Sequence, residues 1–244
     1  MATRQYVERA KADIDEVFEA GAKSEYDKFW DAYQQNGKRK GYSGAFSGVG
    51  WTAETFKPKY DLIVKTTARN MFLSGLQGVN LEEHLVNLGI AFDTSGVTSI
   101  DGFDYFLQHS CPSVMPTIDT RGTTQVRYIF CHANFLTTVR KLIFKEDGSQ
   151  TLKSLFDGCT ALANITIEGK MGANVDIKAA PLTKESIISV VNALYSGATG
   201  KTLTLNLAAV NAAFETSAGA NDGSTSTEWL ALVATKSNWT ISLA

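Results

Sequence analysis

His109, Cys111, Cys131 and His132 are the residues of this chain whose types could hold a zinc ion together, because imidazole nitrogen and thiolate sulfur are preferred zinc donors. Their spacing argues against a site. Zinc ligands usually arrive in pairs separated by about two to four residues, whereas these read H-x-C and C-H. His84 follows two glutamates in EEHLVNL, but no second histidine arrives one helical turn later, so the zinc-protease pattern is incomplete and His84 reads as a helix-surface residue.

Carboxylates and thiols give the same answer. Asp93 and Asp119 each open an Asp-Thr-x-Gly segment, which invites comparison with the paired carboxylates of acid proteolysis; that chemistry uses Asp-Thr-Gly with no intervening residue. With Asp147 nearby, a set of turns in which each Asp binds backbone amides is the simpler expectation. Residues 196–202, SGATGKT, end like a phosphate-binding loop, but Tyr195 stands where the first glycine belongs, and the segment leads into a strand instead of a helix. Serine-hydrolase elbows and dinucleotide fingerprints are absent. No catalytic, cofactor-binding or metal residues are therefore expected.

Composition narrows the partners. With 244 residues, 44% of them hydrophobic, the chain can bury a substantial core. A net charge of −2 and a pI near 5.9 give no broad basic footprint for nucleic acid. Lys38, Arg39 and Lys40, beside aromatic residues, read as a solvated turn. No apolar run is long enough for a signal peptide or a membrane span, so neither export by a leader nor membrane insertion is expected. Three cysteines, an odd number, fit synthesis in a reducing cytoplasm.

The elements that would position these residues follow from periodicity. Val7, Ala10, Ile14 and Val17 form an apolar stripe that drifts onto Phe18, Ala22, Tyr26, Phe29 and Tyr33, predicting a helix over residues 3–35. It packs either on its own domain or in a bundle with other copies of the chain. Residues 37–80 then read as a connector rich in glycine and aromatics. Asn80 and Glu83 have capping-box spacing for a short helix that Gly89 ends. Farther on, Thr183 caps a helix through Ile187, Val190, Val191 and Leu194; KTLTLNL reads as a strand, residues 208–214 and 228–234 as helices, and WTISL as a final strand. Residues 215–227 between them read as a polar loop.

The middle of the chain repeats. Asp93 and Asp119, Thr94 and Thr120, Gly96 and Gly122, Thr98 and Thr124, and Ile100 and Val126 match at an interval of 26 residues. The same interval sets Gly148 under Gly122, Leu152 under Val126, Phe156 under Phe130, Leu162 under Leu136 and Ile165 under Val139. Cys159 then falls on Ala133 in F-x-x-[CA]-x-x-L-x-x-[IV], a place for a small apolar core residue instead of a reactive thiol. Cys111 begins a looser copy, and Cys131 lies outside the pattern. A period in the twenties is that of leucine-rich repeats, whose units bury their apolar sides only against neighbours.

Residues 155–169, LFDGCTALANITIEG, resemble the degenerate leucine-rich repeats of the BspA type, with resemblance extending over about residues 90–170. The C-terminal helices and strands look like the segment that closes such proteins in gut bacteria and their prophages. The resemblance implies an α/β protein in three parts: an N-terminal helical assembly segment, 1–36; the connector, 37–80; and a short irregular leucine-rich-repeat solenoid with its cap, 81–244. It further implies a non-catalytic phage or prophage virion protein, of tail or adhesion type. Such a protein would form homo-oligomers through residues 3–35, contact other virion proteins, and present a face to host-surface protein or glycan. The alternative is a BspA-like bacterial interaction protein outside a virion, and a small hydrolase is more distant.

Overall fold

A computed structural model describes residues 41–110, 112–215 and 226–244. The expected N-terminal helix, the Lys38–Lys40 run, Cys111 and most of the 215–227 loop lie outside these residues. The described residues mix helix and strand, an α/β arrangement of ten strands and four helices.

All the strand pairs are parallel and belong to four small sheets. β1 (Leu62–Ile63) pairs with β2 (Phe92–Asp93). β3 (Val114–Asp119), β5 (Thr138–Ile143) and β7 (Asn164–Glu168) form a sheet in that order. β4 (Gln125–Arg127) pairs with β6 (Thr151–Lys153), and β8 (Val175–Asp176), β9 (Lys201–Leu205) and β10 (Trp239–Leu243) complete the set. Parallel neighbours require the chain to circle back between strands. Pro116 is tolerated in β3 because that strand lies at a sheet edge, where a missing N–H is harmless.

A second set of parallel contacts runs beside the sheets. Gly48, Ser74, His109 and His132 donate backbone N–H to Leu73, Gln108, Cys131 and Asp157 at 2.8, 2.9, 3.0 and 2.6 Å. Four residues earlier in each segment, Gly44, Asn70, Tyr105 and Tyr128 donate in the same way to Arg69, Asp104, Arg127 and Lys153. Each of these eight donors has positive φ, as do Ser154 and Gly158 in the fifth segment. The segments thus share one backbone form. Between the paired left-handed residues, Phe46, Phe72, Leu107, Phe130 and Phe156 point inward and are fully buried. Their rings meet at 5.5 Å for Phe46 and Phe72 and at 5.7 Å for Phe130 and Phe156. Truncating one such phenylalanine to alanine removes about 3–5 kcal/mol.

Several repeat correspondences appear as contacts. Val126 pairs with Leu152, and Val139 with Ile165. Ala133, Leu136, Cys159 and Leu162 are all buried. The Asp turns also form: Asp93, Asp119 and Asp147 accept from the backbone N–H of Ser95, Arg121 and Ser149 at 2.8, 3.0 and 3.0 Å.

Other expectations change. Gly148 does not continue the Gly96–Gly122 column: it is left-handed, with φ +62, and lies against the Tyr195 ring. Gly96 and Gly122 instead lie beneath the carbonyls of Val64 and Val97. The shift arises because β3 and β5 pair at a shorter interval than β4 and β6, so the intervening turn carries extra residues. The position equivalent to Ala133 and Cys159 in the looser copy is held by Ser110, fully buried, in place of Cys111. Residues 41–80 are packed: Tyr42, Phe46, Trp51, Phe56, Met71 and Phe72 join one core cluster that reaches Trp239, with no break at residue 80.

The helices obey their caps. α1 (Leu81–Leu88) starts at Asn80, whose side chain accepts from the N–H of Glu83, and ends at left-handed Gly89. His84 is half-buried, and its ring nitrogen bonds the Phe56 carbonyl, tying α1 to the preceding turn. α2 (Lys184–Asn192), capped by Thr183, covers β7. Its Ser186 and Ser189 hydroxyls accept from the N–H groups of Ile165 and Ile167 at 2.9 and 2.8 Å, satisfying a sheet edge with side chains instead of a further strand. α3 (Leu207–Ala213) and α4 (Thr227–Ala234) follow one another between β9 and β10, close to the bounds the pattern predicts. None of the described helices is long and apolar enough to cross a membrane.

Candidate binding surface

The paired left-handed residues decide what the exterior carries. In an extended strand neighbouring side chains alternate between faces; a left-handed residue breaks that alternation and turns its side chain outward beside the next segment's equivalent. Tyr105 and Tyr128 therefore stack, with ring centroids 4.8 Å apart and planes 2° from parallel. His109 and His132 do the same at 5.0 Å and 5°. The Lys153 ammonium lies 5.4 Å from the centroid of the Tyr128 ring, and the neighbouring Tyr128 side chain raises its pKa. The sequence carries a signal for these columns: YFLQH at 105–109 and YIFCH at 128–132 share tyrosine and histidine four residues apart.

The ladder ends at residues 152–158. Tyr128, Phe130 and His132 donate N–H groups to this segment, yet among the described residues the equivalent N–H groups of Ser154, Phe156 and Gly158 have no backbone acceptor. They border a groove of about 620 Å³ whose far wall is Asn174, Asp176 and Lys178 from the β8 region and Thr202 and Thr204 from β9. The groove therefore combines a terminal row of backbone donors with side chains of both charges and hydroxyl groups. That is chemistry for gripping an extended peptide or a polyhydroxylated ligand.

Cysteine chemistry divides by depth. The Cys159 thiol is fully buried and donates to the Phe130 carbonyl at 3.0 Å; burial pushes its pKa up to about 12. It is a core residue, as its alignment with Ala133 implies. Cys131 is also buried, and burial foremost, then the Asp157 carboxylate, raises its pKa against a hydrogen bond from Gln108. Of the four residues with zinc chemistry, His109 and His132 stack, Cys131 adjoins them, and Cys111 lies outside the described residues. The carboxylates of the Asp-Thr-x-Gly segments do not converge on a reaction centre: Asp93 and Asp119 are held in their own turns.

No family model, curated protein or solved structure matches the chain.

Proposed function

We propose that the chain is a non-catalytic structural or adhesion protein of a phage or prophage virion. In this reading its stacked segments are a short, irregular leucine-rich-repeat solenoid of the BspA type, starting near residue 41 and closed by α2 and the β8–β9–β10 sheet. Residues 3–35 mediate assembly with identical copies. The outer face carries the Tyr105–Tyr128 stack, Lys153 and the adjoining groove, and contacts a host-surface protein or glycan.

One observation supports this reading most: five segments with the same pair of left-handed residues donate in one direction from each to the next and leave the last row of donors at a groove. Such a ladder repeats a shallow surface, as binding scaffolds do, without drawing titratable groups into a deep cavity.

The test has two parts. Antibody labelling of purified particles should place the chain on the virion, and full-length protein should be oligomeric while a variant lacking residues 1–36 is a folded monomer. A monomeric full-length chain that is missing from particles refutes the proposal. Tyr128→Ala and Lys153→Ala should each weaken adsorption to host cells without unfolding the protein.

A further inference from the structure

Cys131, His132 and Asp157 bring a thiol sulfur, an imidazole nitrogen and a carboxylate oxygen within 4.8 Å of one another. Spacing along the chain hides this set. His132 follows Cys131 directly, and in a strand the two would face opposite ways; the left-handed backbone of His132, φ +58, turns its ring to the same side. Asp157 arrives from the next segment, whose carbonyl accepts the His132 N–H at 2.6 Å and fixes the separation.

We propose that these three side chains bind a divalent cation of the zinc class, with a fourth coordination position open to solvent. Thiolate, neutral imidazole and carboxylate together suit zinc and disfavour magnesium or calcium, which prefer all-oxygen sets. Ligands about 2.0–2.3 Å from one ion stand roughly 3.3–3.8 Å apart in a tetrahedron, so the set closes by about 1 Å. The exposed Asp157 side chain can supply that movement while His132, stacked on His109, and buried Cys131 keep their places. Three protein ligands leave the fourth position of a tetrahedral zinc ion for water or a guest.

Two further features fit. Gly158 leaves room for the imidazole: a Cβ there would stand 2.6 Å from His132 Nδ1. His109, stacked 5.0 Å from His132, restrains the ring plane. Asp157 also lines the groove, so a bound ion lies at its margin, where a carboxylate or hydroxyl of a guest can complete the coordination. The inference does not rest on the virion reading, and its failure would leave that reading standing.

The test is titration of the reduced full-length protein with Co²⁺ alone, followed by displacement with Zn²⁺. Wild type should take up one equivalent with tetrahedral d–d bands and a sulfur-to-cobalt charge-transfer band, both lost on adding zinc. C131S should abolish the charge-transfer band, while C159S and C111S should keep it. Asp157→Asn, on an exposed side chain, and His132→Asn, which suits a left-handed backbone, should each weaken binding at least tenfold with circular dichroism unchanged. Absence of any sulfur-to-cobalt band in folded wild type, or wild-type affinity in C131S or D157N, overturns the proposal.

Discussion

Gly75→Ala is the most direct test of the stacking. Gly75 is buried and occupies the column shared by Ser110, Ala133 and Cys159. A Cβ there would stand 2.2 Å from the Phe46 carbonyl oxygen and 3.0 Å from that of Phe72, both backbone atoms that cannot swing aside. Relieving the contact requires about 1 Å of separation between the first two segments. That movement stretches the bonds from Gly48 N–H to the Leu73 carbonyl, 2.8 Å, and from Trp51 N–H to the Gly75 carbonyl, 2.5 Å. Two weakened hydrogen bonds at about 0.5–1.5 kcal/mol each, with about 1–3 kcal/mol of overpacking, give roughly 2–6 kcal/mol. In a chain of this size that lowers Tm by about 4–24 °C. Gly78→Ala is the control, since that glycine is left-handed, φ +64, with nothing within 4 Å of an added Cβ, and should cost only about 1–2 kcal/mol. Differential scanning calorimetry of both variants decides the matter. If Gly75→Ala melts with wild type, or above Gly78→Ala, residues 41–48 do not lie against residues 68–75 and the proposed stack loses its first layer.

Gln150→Leu should cost about 2–4 kcal/mol in urea unfolding, because buried Gln150 donates to the carbonyls of Thr120 and Thr123 at 2.8 and 3.2 Å and accepts from the Lys145 N–H at 2.8 Å, and leucine leaves all three without that partner. Ser186→Ala should cost about 1–3 kcal/mol and increase hydrogen exchange at Ile165, whose N–H loses its acceptor, whereas Ser186→Thr should retain most of the stability. Asp119 is buried, which raises its pKa, but hydrogen bonds and charge from Arg121 outweigh this and lower it overall. A depressed folded pKa contributes stability that is present above the unfolded carboxyl value, near 3.9, and lost as pH falls through the folded value. Asp119→Asn should therefore cost about 1 kcal/mol at pH 7, Arg121 being largely exposed, and flatten the acid limb of a Tm-versus-pH curve below about pH 4. An unchanged acid limb refutes the assignment.

Local signals were legible wherever chemistry acts within a few residues. Asn80 with Glu83, and Thr183 with Ser186, announce α1 and α2 because a cap bonds an N–H three positions on. Val126 with Leu152 and Val139 with Ile165 were legible because those strands keep a 26-residue register. Gly148 misled because the turn after β5 is longer than its equivalent after β3, and identity of residue type alone cannot detect a length change. Residues 41–80 looked like a connector because turns rich in glycine and aromatic residues imitate loop composition; their bonds run to other segments, which periodicity does not record. Cys131 and His132 stood out by type, but their closeness to Asp157 was not legible: Asp157 comes from a neighbouring segment, and left-handed backbone at His132 overturns the rule for adjacent side chains.

The way the central sheet ends bears on how copies of the protein can meet. Pro116 removes a donor from β3, and the α2 hydroxyls occupy donors of β7, so both outer strands of the β3–β5–β7 sheet are poor templates for another chain. Joining protomers tip to tip into an endless fibre through this sheet is therefore discouraged by the fold itself. Contacts between copies, where they form, are thereby steered away from the two edges of this sheet.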